Sequence, residues 1–383
     1  WGGVNWGNDL KNLNSDEFES VSVLKGAAAT ALYGSRALHG AIVITTKKGK
    51  TEKGSGVTLS QRLNFKKAYD GPAFQNVYGE GAIPGYDDRY ADMFAPQNSF
   101  LINAQGEPYI EGIAGGWWVP ISYGHKMDGT KIRDYEGNWI NYDPQPDNYL
   151  QTFQNGFQSN TNVTIDGKGD NSAFLISYSN MKDKGVYPRN TFDRNSIFSN
   201  ISRKFNKYLS SELGISYSNS VSKNPPKYVE QNFITGNWPR NYNTLYAIDH
   251  YKAAHGGVPQ ETYGDAGWAT PGADVWFDVF EDTYLQNEEA LRLTPKVTVN
   301  LTNWFNVVFE GSLNNYYTKT ETKELGQGYA NEGGYYALGH STKQQLDGKL
   351  WLNFNKKITE DFDFRGSVVA EHWQSHYNYS NAW

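Results

Sequence analysis

The feature that most constrains this chain is a side-chain alternation of period two that starts near residue 56 and recurs up to the C-terminal end. In 57–65 the odd positions are mostly apolar and the even positions are polar, and 209–218, 291–302 and 346–354 show a similar split. Because successive side chains of a strand point to opposite faces, each segment predicts a strand with one apolar and one polar face. The segments approach the length of about 9–11 residues that a tilted membrane-spanning strand needs.

The spacing of these segments predicts how the strands are connected. We predict nine strands, near residues 56–69, 159–168, 170–181, 191–205, 207–220, 287–302, 304–319, 341–356 and 358–378. The connections alternate between long loops, above all 70–158 and 221–286, and turns as short as Asn206 or Asn303. Long loops at one end and tight turns at the other are typical of an outer-membrane β-barrel. A soluble β-rich binding protein is the alternative interpretation of the pattern.

Composition excludes several other classes of protein. The 383 residues include 35 basic and 41 acidic side chains, a formal net charge of −6, without the basic block that a nucleic-acid-binding surface needs. The chain has no cysteine, so disulfide bonds and thiolate metal sites are absent. It also lacks the nucleophile-elbow, zinc-helix and phosphate-loop motifs. We therefore predict a protein that is not an enzyme and has no metal or cofactor.

The two longest predicted loops are rich in aromatic residues, which make up 15% of the chain. Aromatic rings can stack on sugars or anchor peptides while losing little conformational entropy. The candidate substrate-binding residues are Trp117, Trp118, Tyr123, Trp238 and Trp268. The alternative for each ring is packing between loops or contact with a protein partner.

The N-terminal part of the chain has a different pattern. Residues 18–24 suit a short strand, 27–33 favour a small helix that ends at Gly34, and 41–46 suit a buried strand. The run FESVSVLKGAAATALYGSRALHGAIVITTKKGK at residues 18–50 resembles the end of the plug domain of the SusC/RagA family of TonB-dependent outer-membrane transporters. Gly26 stands where that family usually has Asp.

The resemblance implies an all-β membrane protein: a transmembrane antiparallel β-barrel of about 22 strands that encloses an α+β plug domain. Residues 1–54 would be the C-terminal part of the plug, and 55–383 the N-terminal part of the barrel with extracellular loops 70–158 and 221–286. Nine strands cannot close such a barrel, so we expect an intact protein of about twice this length or more. The plug-motif residues with a structural or gating role would be Tyr33, Gly34, Ser35, Arg36 and Gly40.

The same resemblance implies import of a glycan or peptide across the bacterial outer membrane. The expected partners are a SusD-like surface lipoprotein, the TonB complex, the lipid bilayer and lipopolysaccharide, with no nucleic acid. Lumen-facing cations such as Arg62, Lys66 and Arg292 could contact plug or ligand, or merely line a solvated wall. A second hypothesis makes the barrel a structural or assembly subunit of a larger outer-membrane complex.

Overall fold

The computed structural model shows two β units and a loop layer. It describes residues 6, 9–26, 30, 37–49, 53–80, 100–109, 122, 124–134, 136–260, 269–328, 333–358 and 362–383. Among these residues no helix has the length and apolar character needed to traverse a bilayer.

The first unit is an antiparallel hairpin of β1 (Phe18–Leu24) and β2 (Ala41–Thr46). Its register pairs Val21 with Ile44 and Val23 with Ile42, so β-branched residues meet across the ladder. Both strands were predicted from the sequence. The helix predicted between them lies outside the described residues except for Thr30, whose hydroxyl donates to the carbonyl oxygen of Gly26 at 3.3 Å.

The second unit begins with β3 (Gly54–Lys66), after which the chain enters the long loop over 67–155. Four short strands of this loop form a small sheet of their own: β4 (Leu101–Ile102), β5 (Pro108–Tyr109), β6 (Lys131–Arg133) and β7 (Trp139–Asn141). The sequence did not predict this sheet, because strands of two or three residues are too short to show an alternation.

Eight further strands complete a nine-stranded antiparallel sheet whose strands follow one another in chain order, with only the small sheet intervening after β3. They are β8 (Gly156–Lys168), β9 (Ser172–Lys184), β10 (Thr191–Lys204), β11 (Leu209–Lys223), β12 (Thr283–Asn300), β13 (Phe305–Glu324), β14 (Tyr335–Lys357) and β15 (Asp363–Ala382). All nine predicted strands are confirmed. The sheet is open, with β3 and β15 at its two edges.

The alternation of loop lengths is also confirmed. At one end of the sheet the turns span only 169–171, 205–208, 301–304 and 358–362. Side chains hold some of these turns: the Asn206 side-chain oxygen accepts from the backbone N–H groups of Tyr208 and Leu209 at 2.8 and 2.9 Å. At the other end the connections are longer, above all 67–155 and 224–282.

The second long loop contains helices α1 (Gln231–Thr235), α2 (Thr244–Asp249) and α3 (Ala273–Glu281). Asn243 caps α2 by accepting from the Tyr246 N–H at 3.0 Å. Helix α3 buries its Trp276 and Phe277 side chains completely. The loop therefore has a packed core of its own.

The two faces of the sheet differ as the alternation predicts. On β3 the apolar side chains of Val57, Leu59 and Phe65 are 71%, 70% and 83% exposed. The opposite face carries Arg62, which points toward the N-terminal segment of the chain. We call the polar face of the whole nine-stranded sheet, the face that carries Arg62, the inner wall.

Candidate functional site: the inner wall and the long-loop cavity

A short segment ahead of β1, residues 9–17, lies against the inner wall, and we call it the docking segment. It consists of two 3₁₀ turns, Asp9–Asn12 and Ser15–Glu17. Its central contact is with Arg194 of β10, a buried residue. The Arg194 guanidinium donates to the carbonyl oxygens of Lys11 and Leu13 at 2.9 and 2.7 Å. One side chain of the wall thus satisfies two backbone acceptors of the docking segment.

The acidic end of the docking segment contacts three wall strands. Asn160 of β8 donates to an Asp16 carboxylate oxygen at 2.8 Å, and the Arg62 guanidinium of β3 lies 3.6 Å from the other. Ser216 of β11 donates to the Glu17 carboxylate at 3.3 Å. Both carboxyl groups are therefore held by side chains that lie far away along the chain.

Burial changes the acidity of one of these groups. Loss of solvent raises the pKa of the Glu17 carboxyl above its ordinary value, while hydrogen bonds from Asn14, Ser216 and Ser196 and the charge of Arg194 oppose the rise. The Glu17 carboxyl therefore stays protonated to a higher pH than the carboxyl of an exposed glutamate does.

Two lysines extend the contact on either side. Lys11 Nζ lies 2.8 Å from a Glu288 carboxylate oxygen of β12 and donates to Gln286 Oε1 at 2.6 Å. Just after β2, Lys48 Nζ lies 2.9 Å from a Glu212 carboxylate oxygen of β11. The docking segment and hairpin thus bind β3, β8, β10, β11 and β12.

Most of the plug-motif residues predicted from the sequence, Tyr33, Gly34, Ser35 and Arg36, lie outside the described residues. Gly40 is described. Its φ of +98° is left-handed, and a Cβ there would lie 2.7 Å from the Leu24 carbonyl oxygen. Only glycine fits this position at the start of β2 without strain.

Sequence reasoning missed the docking contact itself. The available signal was the polar run Asn14–Glu17 directly before β1, together with Arg194 as a cation on the polar face of β10. Of the wall cations predicted to contact plug or ligand, Arg62 reaches the docking segment. Lys66 instead pairs with Asp183 of β9, and Arg292 donates to Asn314 Oδ1 of β13.

At the end of the sheet that carries the long connections, the two longest loops pack together around a cluster of aromatic rings. Trp238 stacks on Tyr242 with ring centroids 4.5 Å apart, and Trp276 Nε1 donates to the Tyr242 hydroxyl at 3.0 Å. Phe74 of the first loop packs edge-to-face with Phe233, with ring centroids 6.4 Å apart. Such ring pairs add about 0.5–1.5 kcal/mol each beyond the area they bury.

Arg240 joins the two loops. Its buried guanidinium donates to Asn76 Oδ1 at 2.9 Å, to the Pro146 carbonyl oxygen at 2.7 Å, and to Asn148 Oδ1. The guanidinium carbon also lies 4.6 Å from the centroid of the Phe74 ring. All of these partners belong to the first long loop, so one side chain of the second loop organises the contact.

Beside this contact lies an open cavity of about 180 Å³. Its walls come from β7 and the chain after it on one side, and from the segment between α1 and α2 on the other. Burial raises the pKa of the Tyr142 hydroxyl at the cavity wall, and that hydroxyl donates to the Glu80 carbonyl oxygen at 3.3 Å. The hydroxyl is therefore a neutral part of the lining.

Of the five aromatic residues predicted to bind substrate, only Trp238 is among the described residues. Trp117, Trp118, Tyr123 and Trp268 lie outside the described residues. Trp238 lines the cavity but is only 5% exposed, because its ring packs in the aromatic cluster. Its role in substrate binding stays a prediction. Within the described part of the chain, no three His, Cys, Asp or Glu side chains are grouped so that they could hold a metal ion.

Parts of the sequence are similar to the sequences of TonB-dependent receptors. No family model matches the chain. Over 60 residues the chain is 47% identical to the TonB-dependent receptor SusC of Bacteroides thetaiotaomicron. Over 185 residues it is 28% identical to the TonB-dependent receptor P3 of Formosa agariphila.

The fold matches solved structures over nearly its whole length. The RagAB peptide importer in its closed-closed state superposes on 97% of this chain with a TM-score of 0.66 and 15% sequence identity. The open-open state of the same importer gives a TM-score of 0.65. The resemblance to the SusC/RagA family is confirmed. The nine-stranded sheet is thus an open, partial form of the fold seen in those structures.

The chain spans only part of these proteins. The matches cover 16% of this chain and 6% of SusC, 48% of this chain and 14% of receptor P3, and 40% of the RagAB chain. The matched proteins carry the names of receptors and importers, not of enzymes.

Proposed function

We propose that this chain is part of a TonB-dependent importer that carries a glycan or a peptide across the bacterial outer membrane. The observation that carries the proposal is the docking segment on the inner wall of a SusC/RagA-type sheet. A plug blocks a barrel only if it binds the wall, and it opens a path only if that binding can be broken. Hydrogen bonds and ion pairs between polar surfaces meet both needs, because water can replace them.

The division of the chain follows from the same reasoning. Residues 1–54 would form the end of the plug, and residues 55–383 the first part of the barrel. The exposed apolar face of β3 would contact lipid, and the long loops would lie outside the cell. A SusD-like lipoprotein would cover those loops, and TonB would pull on the plug from the periplasm.

Uptake in living cells tests the proposal. The gene is deleted in the source bacterium, and growth is followed on single glycans and on peptides as the sole nutrient. We expect growth on one nutrient class to be lost, and a second strain that lacks TonB to show the same loss. Restoring the gene should restore growth.

Two outcomes would argue against import. Unchanged uptake of every nutrient after deletion, with altered composition of an outer-membrane complex, would favour the role of a structural subunit. Uptake that persists without TonB would show that the transport is passive. Purification of the native protein in mild detergent adds a separate readout, because a SusD-like lipoprotein should co-purify.

A further inference from the structure

The cavity between the two outer loops has a polar lining, and the described residues that form it include no lysine or arginine. Five carboxamide side chains line it: Asn141, Gln145, Asn237, Asn241 and Asn243. Two of these side chains already make a hydrogen bond within the protein. Asn241 Oδ1 accepts from the Glu80 N–H at 2.9 Å, and Asn243 caps α2. The Asn141 side chain is exposed at the rim. Each free carboxamide offers two donor hydrogens and an acceptor oxygen.

The lining contains three carboxylate residues, Glu80, Asp134 and Asp143, and within the described part of the chain they do not form a group that could hold a metal ion. Asp134 is buried, and its Oδ1 accepts from the backbone N–H groups of Glu136 and Asn138 at 3.0 and 2.7 Å. The carboxylate of Asp143 is exposed and makes no hydrogen bond within the described part of the chain. One solvated carboxylate attracts a cation only weakly, but it repels an anion that has no cation nearby to pair with.

The remaining lining offers a flat, partly apolar surface. Tyr246 stacks on His250 with ring centroids 3.9 Å apart, and its hydroxyl is tied to Glu136. Ile140 and Pro271 add apolar contacts. A cavity of about 150 Å³ holds a single six-membered ring, so a volume of about 180 Å³ suits one ring and not two.

We propose that this cavity binds one uncharged, hydroxyl-rich ring of the imported molecule, a neutral pyranose unit, and rejects the corresponding acidic sugar. The proposal rests on the proposed import function and names the substrate class for it. The carboxamides would bond the ring hydroxyls, which both donate and accept, while Tyr246 and Ile140 would contact the apolar carbons. Asp143 would repel a sugar carboxylate.

Saturation-transfer NMR on the full-length protein in detergent tests the subsite directly. The probes are the methyl glycosides of glucose, galactose, mannose and xylose, with those of glucuronic and galacturonic acid as acidic counterparts. We expect transfer to at least one neutral glycoside and a signal at least threefold weaker for its acidic counterpart.

Two variants locate the signal in the cavity. Asn141→Ala removes an exposed carboxamide of the rim and should weaken transfer at least threefold, whereas the matched control Asn155→Ala, exposed outside the cavity, should leave it unchanged. Asp143→Lys should reverse the selection, so that the acidic glycoside gives the stronger signal. Because the expected result is a stronger signal for the acidic glycoside, a variant that fails to fold cannot produce it.

The proposal is overturned if no neutral glycoside receives saturation, if Asn141→Ala leaves the signal unchanged, or if acidic and neutral sugars bind alike. The uptake assay separates this failure from failure of import. TonB-dependent growth on peptides, without transfer to sugars, would overturn the subsite and leave import standing. Loss of no nutrient after gene deletion would overturn the import function itself.

Discussion

At the scale of single residues, the contact between the docking segment and the inner wall depends on a few buried polar groups. Arg194 is the central one, because its guanidinium satisfies the backbone acceptors of Lys11 and Leu13. Buried carbonyl groups without a partner each cost about 1–3 kcal/mol. The contact is therefore sensitive to changes that remove the donor while keeping the volume.

We expect Arg194→Met to loosen the docking segment. A hydrogen bond from a charged donor contributes about 1.5–3 kcal/mol, and every 1.4 kcal/mol is about a factor of ten. Amide hydrogen exchange of residues 9–17 in the full-length protein should accelerate at least about tenfold, as measured by mass spectrometry. The control is Arg203→Met, an exposed arginine on the same strand, which should not change this exchange.

The docking contact should also weaken as pH rises, because of Glu17. Burial raises the pKa of its carboxyl above the ordinary value of 4.5 in the docked state. Docking therefore favours the protonated form. The stabilisation is fully present below pH 4.5 and is lost as the pH rises through the docked pKa.

The measurement is the protection of residues 9–17 against exchange between pH 4 and 8, corrected for the intrinsic rate. Protection should fall with pH in the wild type and stay level in Glu17→Gln. The charge that acts on the Glu17 carboxyl is that of Arg194, and Asp16→Asn, at the preceding residue of the docking segment, is the matched control in which the fall should persist. A fall that persists in Glu17→Gln would contradict this assignment.

At the scale of elements, the two longest loops behave as one packed body because Arg240 and the aromatic cluster connect them. The helices of the second loop are short, and helices of this length are marginal without tertiary packing. Their rings and caps make contacts that the chain alone does not supply. The rigidity of the cavity wall therefore depends on the contact between the two loops.

We expect Arg240→Met to separate the loops. The substitution keeps most of the side-chain volume but leaves the Pro146 carbonyl oxygen and the amide oxygens of Asn76 and Asn148 without their donor. Of these three acceptors only the Asn148 side chain is buried, and a buried group without a partner costs about 1–3 kcal/mol, so amide exchange over 143–149 should rise about tenfold.

Arg240→Lys should give an intermediate effect, because an ammonium cannot span acceptors arranged around a planar guanidinium. Lys252→Met removes a partly exposed lysine that pairs with Glu281, and serves as the control with little change expected. Unchanged exchange over 143–149 in Arg240→Met would show that the aromatic cluster alone holds the loops together.

At the scale of the whole molecule, the long loops and the tight turns lie at opposite ends of one sheet, which the proposed function places on opposite sides of a membrane. The chain contains no cysteine, so a single introduced thiol can report its position without background. Leu245 in α2 is 56% exposed among the long loops. Lys207 is exposed in a tight turn.

We expect Leu245→Cys to react with a membrane-impermeant maleimide on intact cells. Lys207→Cys should react only after the outer membrane has been made permeable. Equal labelling of both variants on intact cells would contradict the proposed orientation, and reversed labelling would invert it. The cysteine-free wild type is the control for labelling of other proteins.

By itself the sequence determined the strand number, the two faces of the wall and the alternation of loop lengths. These features depend on local periodicity and on short turn signals, which are readable from neighbouring residues. The motif at 18–50 added the resemblance to the SusC/RagA family, which the comparisons support. The expected length of the intact protein, and the roles of Trp117, Trp118, Tyr123 and Trp268, stay predictions.

Only the tertiary structure decided which polar residues of the wall meet the docking segment, and which aromatics form a core. Alternation tells which face a side chain occupies, but not which distant residue it contacts. Arg194 and Lys11 are 183 positions apart along the chain. Trp238 shows the same limit: its residue type suggested a binding surface, whereas its burial depends on rings brought to it by folding.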